Sequence, residues 1–554
     1  MQLAAIIILV YLTLLPILFL FYGAFVPDIG SFQFTFANIV KVYTDSSLLP
    51  LAGRTFIFAA SSSLVALIMG GTAAWITEKT ATRLRGPVSA INLLSLTFPS
   101  LLTSIVWISL LAPKSGLINS WLTSTFGLPV GVFQIYSLPG MIWVEGLHGA
   151  PLAYLLMVPV LGSMDRSFEE ASAMSGASLG QTIRKITLPI MVPAIISILV
   201  LRFVRSIESF ETPVLIGLPR GIDVLISKIY NIVSADRNYG AANAYSLGIM
   251  LVAFVGIYFY QRVTSKAYRF ASVTGKGFKA EKARIGRFQI LADSYLVFYF
   301  VVLGVLPLAT ILWNAFLPYP MRPSMEALSM FTLKNFQFVL GSPKVALAFR
   351  NSLIVGAGAA AACVLLATIV AWIVLRTRMR GRWLLDLLTF LPMTIPSFIL
   401  GVGLIWIYLT VPIPIYGTLW ILLIGYTTSF LPMAMRFISP ALSQIHKELE
   451  ESAHISGATW WMTFRRILMP LIFPAALGAG TYIFMLVFRV LSSAIVIYTP
   501  KTIVVPVLIF EMFGEAAGNS VHALLLMTTL LLVPFALSYH YLTRKYGLRT
   551  KGEG

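Results

Sequence analysis

The sequence predicts an all-α polytopic membrane protein of about twelve transmembrane helices, built as two homologous six-helix halves. Three observations carry this. Hydrophobic residues make up 58% of the 554 and charged residues 11%, against about 25% charged in a soluble domain. Apolar runs long enough to cross a bilayer, about 20 residues each, recur along the whole chain. One polar segment, EEASAMSGASLGQTIRKITLPIMVPA from Glu169 to Ala194, returns without a gap as EESAHISGATWWMTFRRILMPLIFPA from Glu450 to Ala475, 281 residues later and identical at 11 of 26 positions.

The predicted spans are 3–26, 55–77, 88–112, 138–162, 190–208 and 243–262, then 291–316, 351–375, 384–409, 415–439, 471–491 and 521–542. Alternating strands of a barrel would not give such unbroken apolar runs. The first run starts at the N-terminus without a basic flank or a small-residue cleavage pattern, and reads as a spanning helix rather than a signal peptide.

The net charge of +19 is topological. Lys and Arg fall in alternate loops: Lys79, Arg83 and Arg85; Arg166, Arg184 and Lys185; Arg376, Arg378, Arg380 and Arg382; Lys447, Arg465 and Arg466. Segment 262–287 holds eight more, and Arg544, Lys545, Arg549 and Lys551 follow the last span, whereas 113–137 has only Lys114. By the positive-inside rule the basic loops, both termini and both repeated segments are expected in the cytoplasm. Nothing in this pattern asks for nucleic acid. A single cysteine and five scattered histidines exclude a disulfide framework or a thiolate metal cluster.

The repeat reaches beyond the polar segment. Pro16 matches Pro307, Arg54 matches Arg350, Ala74-Trp75-Ile76 matches Ala371-Trp372-Ile373, and Pro99-Ser100 matches Pro396-Ser397. The expected organisation is a first half at 1–262, a basic cytoplasmic linker at 263–288 and a second half at 289–554. An even number of helices per half gives parallel repeats about a pseudo-twofold along the membrane normal, with a pathway expected where the halves meet. The chain has no Gly-x-x-x-x-Gly-Lys-Ser/Thr phosphate loop, so any ATPase driving transport is a separate protein.

Each repeated segment lies between the fourth and fifth spans of its half. Ser167 or Glu169 is placed to open a short helix with acidic residues in its first turn. Gly176 and Gly457 suit a chain reversal. A second short helix carries Arg184-Lys185 or Arg465-Arg466, and Pro189 and Pro470 are expected to end it and begin the next span. The product is a helix-turn-helix elbow able to fit a groove on a partner, made twice because the partner comes twice.

Glu170-Ala171-Ser172, Gly176, Ile186 and Pro189, with Glu451-Ser452-Ala453, Gly457, Ile467 and Pro470, resemble the EAA loop of ABC importer permeases, here at 165–189 and 446–470. Both copies depart from a strict Glu-Ala-Ala. The resemblance implies that Glu169, Glu170, Ala171, Gly176, Arg184 and Pro189, and Glu450, Glu451, Gly457, Arg465 and Pro470, dock two copies of an ABC ATPase on the cytoplasmic side. It also implies an external solute receptor, periplasmic or lipoprotein, and a prokaryotic inner-membrane location. ATP and Mg would then be held by the ATPase, with no cofactor on this chain. Two fused halves, together with the stretches 208–230 and 492–513, are most similar to iron(III)-type permeases, a group with relatives for thiamine, phosphonate, polyamine and other small polar solutes.

Charges within spans normally face a cavity or a partner, because one at the bilayer centre costs about 2.5–3.5 kcal/mol on insertion scales. Arg202, Arg205, Glu208 and Glu211 fall three apart near the end of the fifth span. Arg489 holds the position matching Glu208. Arg205, Glu208, Glu211 and Arg489 are therefore expected to line the path, with Glu208 and Arg489 as a gate-like pair; the alternative is that both snorkel to the outer interface. Glu145 and His148 read as interfacial, as do Trp107, Trp143, Trp313, Trp406 and Trp420. A secondary transporter would need buried ionisable groups for ion coupling and no paired elbows. A membrane enzyme would need a clustered constellation of catalytic groups, which the sequence lacks.

Overall fold

A computed structural model describes the chain except residues 1, 28, 32, 96, 97, 165, 166, 272–285, 516 and 546–554; most of the expected linker thus lies outside the described residues. The described residues are helical, with no strand among them. Among the described residues, ten helices are long and apolar enough to cross a membrane: Leu3–Ala24, Leu48–Lys79, Leu138–Gly162, Gly180–Ile207, Tyr239–Arg262, Phe288–Ala315, Pro343–Arg376, Leu419–Ser443, Trp460–Val487 and Ser520–Tyr539.

The third span expected in each half is not a straight helix. Arg85–Ser95 with Ser100–Leu111, and Arg382–Thr394 with Ser397–Thr410, are helix pairs bent by 108°. The break falls at the repeated prolines: Pro99 (φ −56°, ψ 142°) and Pro396 (φ −53°, ψ 134°) are extended and cap the second member of each pair. A proline drives the residue before it out of the α region, and Ile395 is accordingly extended at φ −107°, ψ 118°.

Four other prolines sit inside continuous spans behind a common device. Pro16, Pro189, Pro307 and Pro470 each lie two residues after a single π-turn: Val10–Leu14, Ile183–Thr187, Val301–Val305 and Phe464–Leu468. A proline within a helix donates no N–H and crowds the carbonyl four residues back. The wider π-turn relieves that crowding and lets the helix continue. At Pro16 the carbonyl in question, Leu12 O, accepts a hydrogen bond from Thr428 Oγ1 at 3.1 Å.

By internal contacts the chain forms two compact units, and these are not its two sequence halves. One gathers Met1–Asp45, Ile229–Met250 and Thr332–Thr550; the other gathers Ser46–Lys228 and Leu251–Phe331. The first span of each half therefore packs with the later spans of the other half. In the first unit, Gly403 makes room for this: a Cβ there would lie 2.9 Å from Pro16 O and 3.0 Å from Leu20 Cγ. In the second unit, Tyr299 Oη donates to Asn92 Oδ1 at 2.6 Å, and Thr82 Oγ1 to Asp293 Oδ1 at 2.6 Å. Trp406 and Trp107 are core residues rather than interfacial ones. Trp406 packs edge-on against Tyr22, whereas Trp420 is exposed as expected.

Candidate functional site: two elbows and a buried charge knot

The repeated segments fold as elbows. The first opens with helix Ser167–Met174 and the second with Glu448–Ile455. Each helix ends at a left-handed glycine, Gly176 at φ +78° and Gly457 at φ +80°. Beyond the glycine, Ala177 N donates to Ser172 O at 3.1 Å, and Ala458 N to Ala453 O at 2.9 Å. This six-to-one bond around an αL glycine is the Schellman termination of a helix. In the first copy Ser178 and Gln181 then form a reciprocal capping box: Ser178 N donates to Gln181 Oε1 at 2.8 Å, and Gln181 N to Ser178 Oγ at 3.4 Å. In the second copy Thr459 Oγ1 accepts from Met462 N at 3.3 Å.

The second arm differs from expectation. Pro189 and Pro470 do not end a helix and begin another. The arm runs from Leu179 through the π-turn Ile183–Thr187 into Leu188–Ile207, and from Trp460 through Phe464–Leu468 into Met469–Val487. The second arm of each elbow is thus the N-terminal end of the fifth span of its half.

The leading glutamate of each copy turns inward. Glu169 Oε1 lies 3.3 Å from Lys79 Nζ, at the C-terminal end of the second span, and accepts from Thr187 Oγ1 at 3.1 Å, in the π-turn. Glu450 Oε1 lies 2.8 Å from Arg376 Nε, and Glu450 Oε2 accepts from Trp372 Nε1 at 3.4 Å. Arg376 also donates to Leu442 O at 2.9 Å and to Ile445 O. Lys79 and Arg376 are 5% and 7% exposed, and they occupy matching positions just after the repeated Ala-Trp-Ile. Sequence reasoning missed both cations as partners, because each stands far along the chain from its glutamate.

The other elbow residues face outward: Ala171, Gly176, Arg184 and Pro189 in the first copy, Glu451, Gly457, Arg465 and Pro470 in the second. The side chain of Glu170 lies outside the described residues. Matching apolar side chains are exposed beside them: Phe168 with Leu449, and Met174 with Ile455, the latter pair at 90% and 88%. The second elbow adds an aromatic cluster: Trp372 meets Trp460 edge-on with ring centroids 5.1 Å apart, and Trp460 stacks on Phe464 at 5.2 Å.

Glu145 is not interfacial. It is buried and ion-paired with Arg202 at 3.2 Å, and it accepts from Ser209 Oγ at 2.7 Å and Thr212 Oγ1 at 3.2 Å. Gly149 admits the guanidinium, since a Cβ there would fall 2.3 Å from it. Arg205 pairs with Glu208 at 3.0 Å, and Glu211 is buried. The four charges do not share one helix face. The helix ends at Ile207 with Glu208 as its C-cap, Arg202 turns to Glu145, and Glu211 lies past the helix end. Arg489 follows the end of the eleventh span, is partly exposed and lies in the other unit from Glu208. In the second half, Tyr426, Ile483, Val490 and Ser493 stand where the first half has Glu145, Arg202, Ser209 and Thr212. There Tyr426 Oη donates to Val490 O at 3.2 Å.

A repeated bundle of membrane-spanning helices with a matched elbow before the fifth span of each half is the architecture of a transport permease. Residues 47–267 and 363–548 match the family described as the binding-protein-dependent transport system inner membrane component. The chain belongs to this family of ABC importer permeases. It is 24% identical over 474 residues to a putative ferric transport system permease protein, FbpB 1, of Haemophilus influenzae, covering 84% of this chain and 73% of that one. It is 24% identical over 481 residues to the ferric transport system permease FbpB of Actinobacillus pleuropneumoniae, covering 84% and 68%. A putative 2-aminoethylphosphonate transport system permease, PhnV, of Salmonella typhimurium is 28% identical over 262 residues, 46% of this chain and 93% of its own. Among solved structures, a bacterial ABC transporter for alginate import aligns with a TM-score of 0.36 at 22% identity, over 44% of this chain and 86% of its own.

Proposed function

We propose that this chain is the translocating subunit of an ABC importer for iron(III), serving as both transmembrane halves in one polypeptide. Two copies of an ABC ATPase dock on the elbows from the cytoplasm, and an external binding protein delivers the solute. Hydrolysis belongs to the ATPase; this chain supplies the path, with Arg205, Glu208, Glu211 and Arg489 as its candidate lining residues. Both termini and the basic linker are cytoplasmic in this reading, as the alternating basic loops require. The observation that carries it is the duplicated elbow, which exposes an apolar pair and an arginine at matching positions in each copy. Such a surface suits a groove lined with apolar and acidic groups. The ferric assignment draws on the two FbpB relatives, which match over most of the chain.

The test is uptake into membrane vesicles holding this chain, its ATPase and its receptor. ATP-dependent accumulation of radioactive ferric iron is expected. Uptake of 2-aminoethylphosphonate or thiamine instead would reassign the solute. Uptake without ATP, driven by an ion gradient, would replace the importer with a secondary transporter.

A further inference from the structure

We infer that the leading glutamate of each elbow is an internal clasp, not a docking residue: Glu169 with Lys79, and Glu450 with Arg376, lock the elbow to the C-terminal end of the second span. This deepens the importer reading and rests on it. The elbow then moves with two spans, the second through the ion pair and the fifth through the continuous helix.

Four observations converge on this. The pair occurs in both halves at matching positions, although the two copies of the repeat share only part of their sequence. Both cations are almost fully buried, so opening the clasp would leave a buried charge without its partner. Glu169 bridges two elements at once, taking Lys79 from the second span and Thr187 from the π-turn. Glu450 likewise takes Arg376 and Trp372, and Arg376 ties the end of the preceding span through Leu442 O and the loop after it through Ile445 O. The adjacent Glu451 faces solvent, so neighbouring glutamates divide the work between the inside and the partner surface. A docked ATPase pushing on the outer face finds no loose loop to flex, and its displacement passes into both spans.

The test uses the full complex in vesicles, with spin labels on Ser175→Cys and Ala81→Cys in a Cys363→Ser background. Ser175 sits on the elbow and Ala81 just past the end of the second span, and both are exposed. Their separation reports whether elbow and second span move together. With the native clasp the distance distribution should be narrow and unchanged by ATP. Lys79→Glu and Glu169→Lys should each broaden it and lower ATP-driven uptake by about tenfold, with the ATPase still co-purifying. The double swap should narrow the distribution again and restore uptake. Glu450→Gln keeps the size of the side chain and should loosen the second elbow alone. The clasp is refuted if the labels separate on ATP binding in the native complex, if the single reversals leave the distribution narrow, or if they strip the ATPase off and the swap does not return it. Failure of the native complex to take up ferric iron, with distances as stated, would overturn the solute assignment and leave the clasp standing. Failure to bind any ATPase would remove the importer reading itself.

Discussion

Removing Glu145 should leave Arg202 charged and buried, with Ser209 and Thr212 deprived of their acceptor. Breaking a buried pair by deleting one partner costs about 3–5 kcal/mol. Each hydroxyl bond within a membrane adds about 0.6 kcal/mol. The carboxylate receives two such hydroxyls besides the guanidinium, so Glu145→Ala should cost roughly 4–6 kcal/mol. At no more than about 2 °C per kcal/mol for a chain of this size, the melting temperature of the purified permease should fall by several degrees, up to roughly 8–12 °C. Fluorescence-detected size-exclusion after heating would measure it. The second half shows how the same place is built without charge. Carrying its residues across, as Glu145→Tyr with Arg202→Ile, should recover most of that loss, because replacing a buried pair by well-packed apolar groups is often neutral. The double-mutant cycle then reads the coupling directly. A Glu145→Ala protein melting within about 2 °C of the native chain, or a double variant as unstable as the two singles summed, would refute the knot as a structural element.

Other expectations follow from single positions. Gly457→Ala meets no neighbour, since a Cβ there has open space, yet the left-handed backbone costs an L-residue about 1–2 kcal/mol; ATPase co-purification should weaken, and less so with Gly457→Asn. Met174→Glu and Ile455→Glu should abolish ATPase co-purification while moving the melting temperature by less than about 2 °C, because both side chains are almost fully exposed. Thr428→Val should strip Leu12 O of its side-chain donor and cost about 0.6 kcal/mol, seen as a melting shift of about 1 °C. Gly149→Val should displace Arg202 and reproduce the instability of Glu145→Ala.

Local chemistry was legible in the sequence wherever it was written in punctuation. Gly176 and Gly457 announced the elbow turn because a left-handed residue without a Cβ has few other uses, and spacing alone aligned the two copies. The repeated Pro99-Ser100 and Pro396-Ser397 were equally visible, but hydropathy could not say that they break a span, since a bent pair is as apolar as a straight helix. The π-turns were hidden for the same reason: Val10–Leu14 and Val301–Val305 are ordinary apolar residues, and only the proline two positions on hints at them. Pairings across the fold left no trace. Glu145 looked interfacial because its partners come from the fifth span and the loop after it. Nor does hydrophobicity name which half an apolar helix packs against, so the exchange of the first spans could not be foreseen.

The prolines give that architecture a mechanical sense. Pro189 and Pro470 stand where a proline would ordinarily kink or end a helix, and an elbow joined to its span by a break would swing without moving the span. The π-turn instead absorbs the missing bond within one continuous helix. In the first copy Thr187, the last residue of that turn, is hydrogen-bonded to the same glutamate that holds Lys79. Local widening and clasp thus meet at one point, where the helix would otherwise be weakest. The first span of each half repeats the device at Pro16 and Pro307, far from any elbow, so the π-turn is first a solution to proline in a membrane helix. Coupling uses it afterwards. Pro470→Ala separates the two roles: with an N–H restored the turn should anneal to α geometry, turning the elbow by about 100° about the helix axis. The permease should then fold and melt as before yet lose ATP-driven uptake. Normal uptake in that variant would show that the proline serves folding alone.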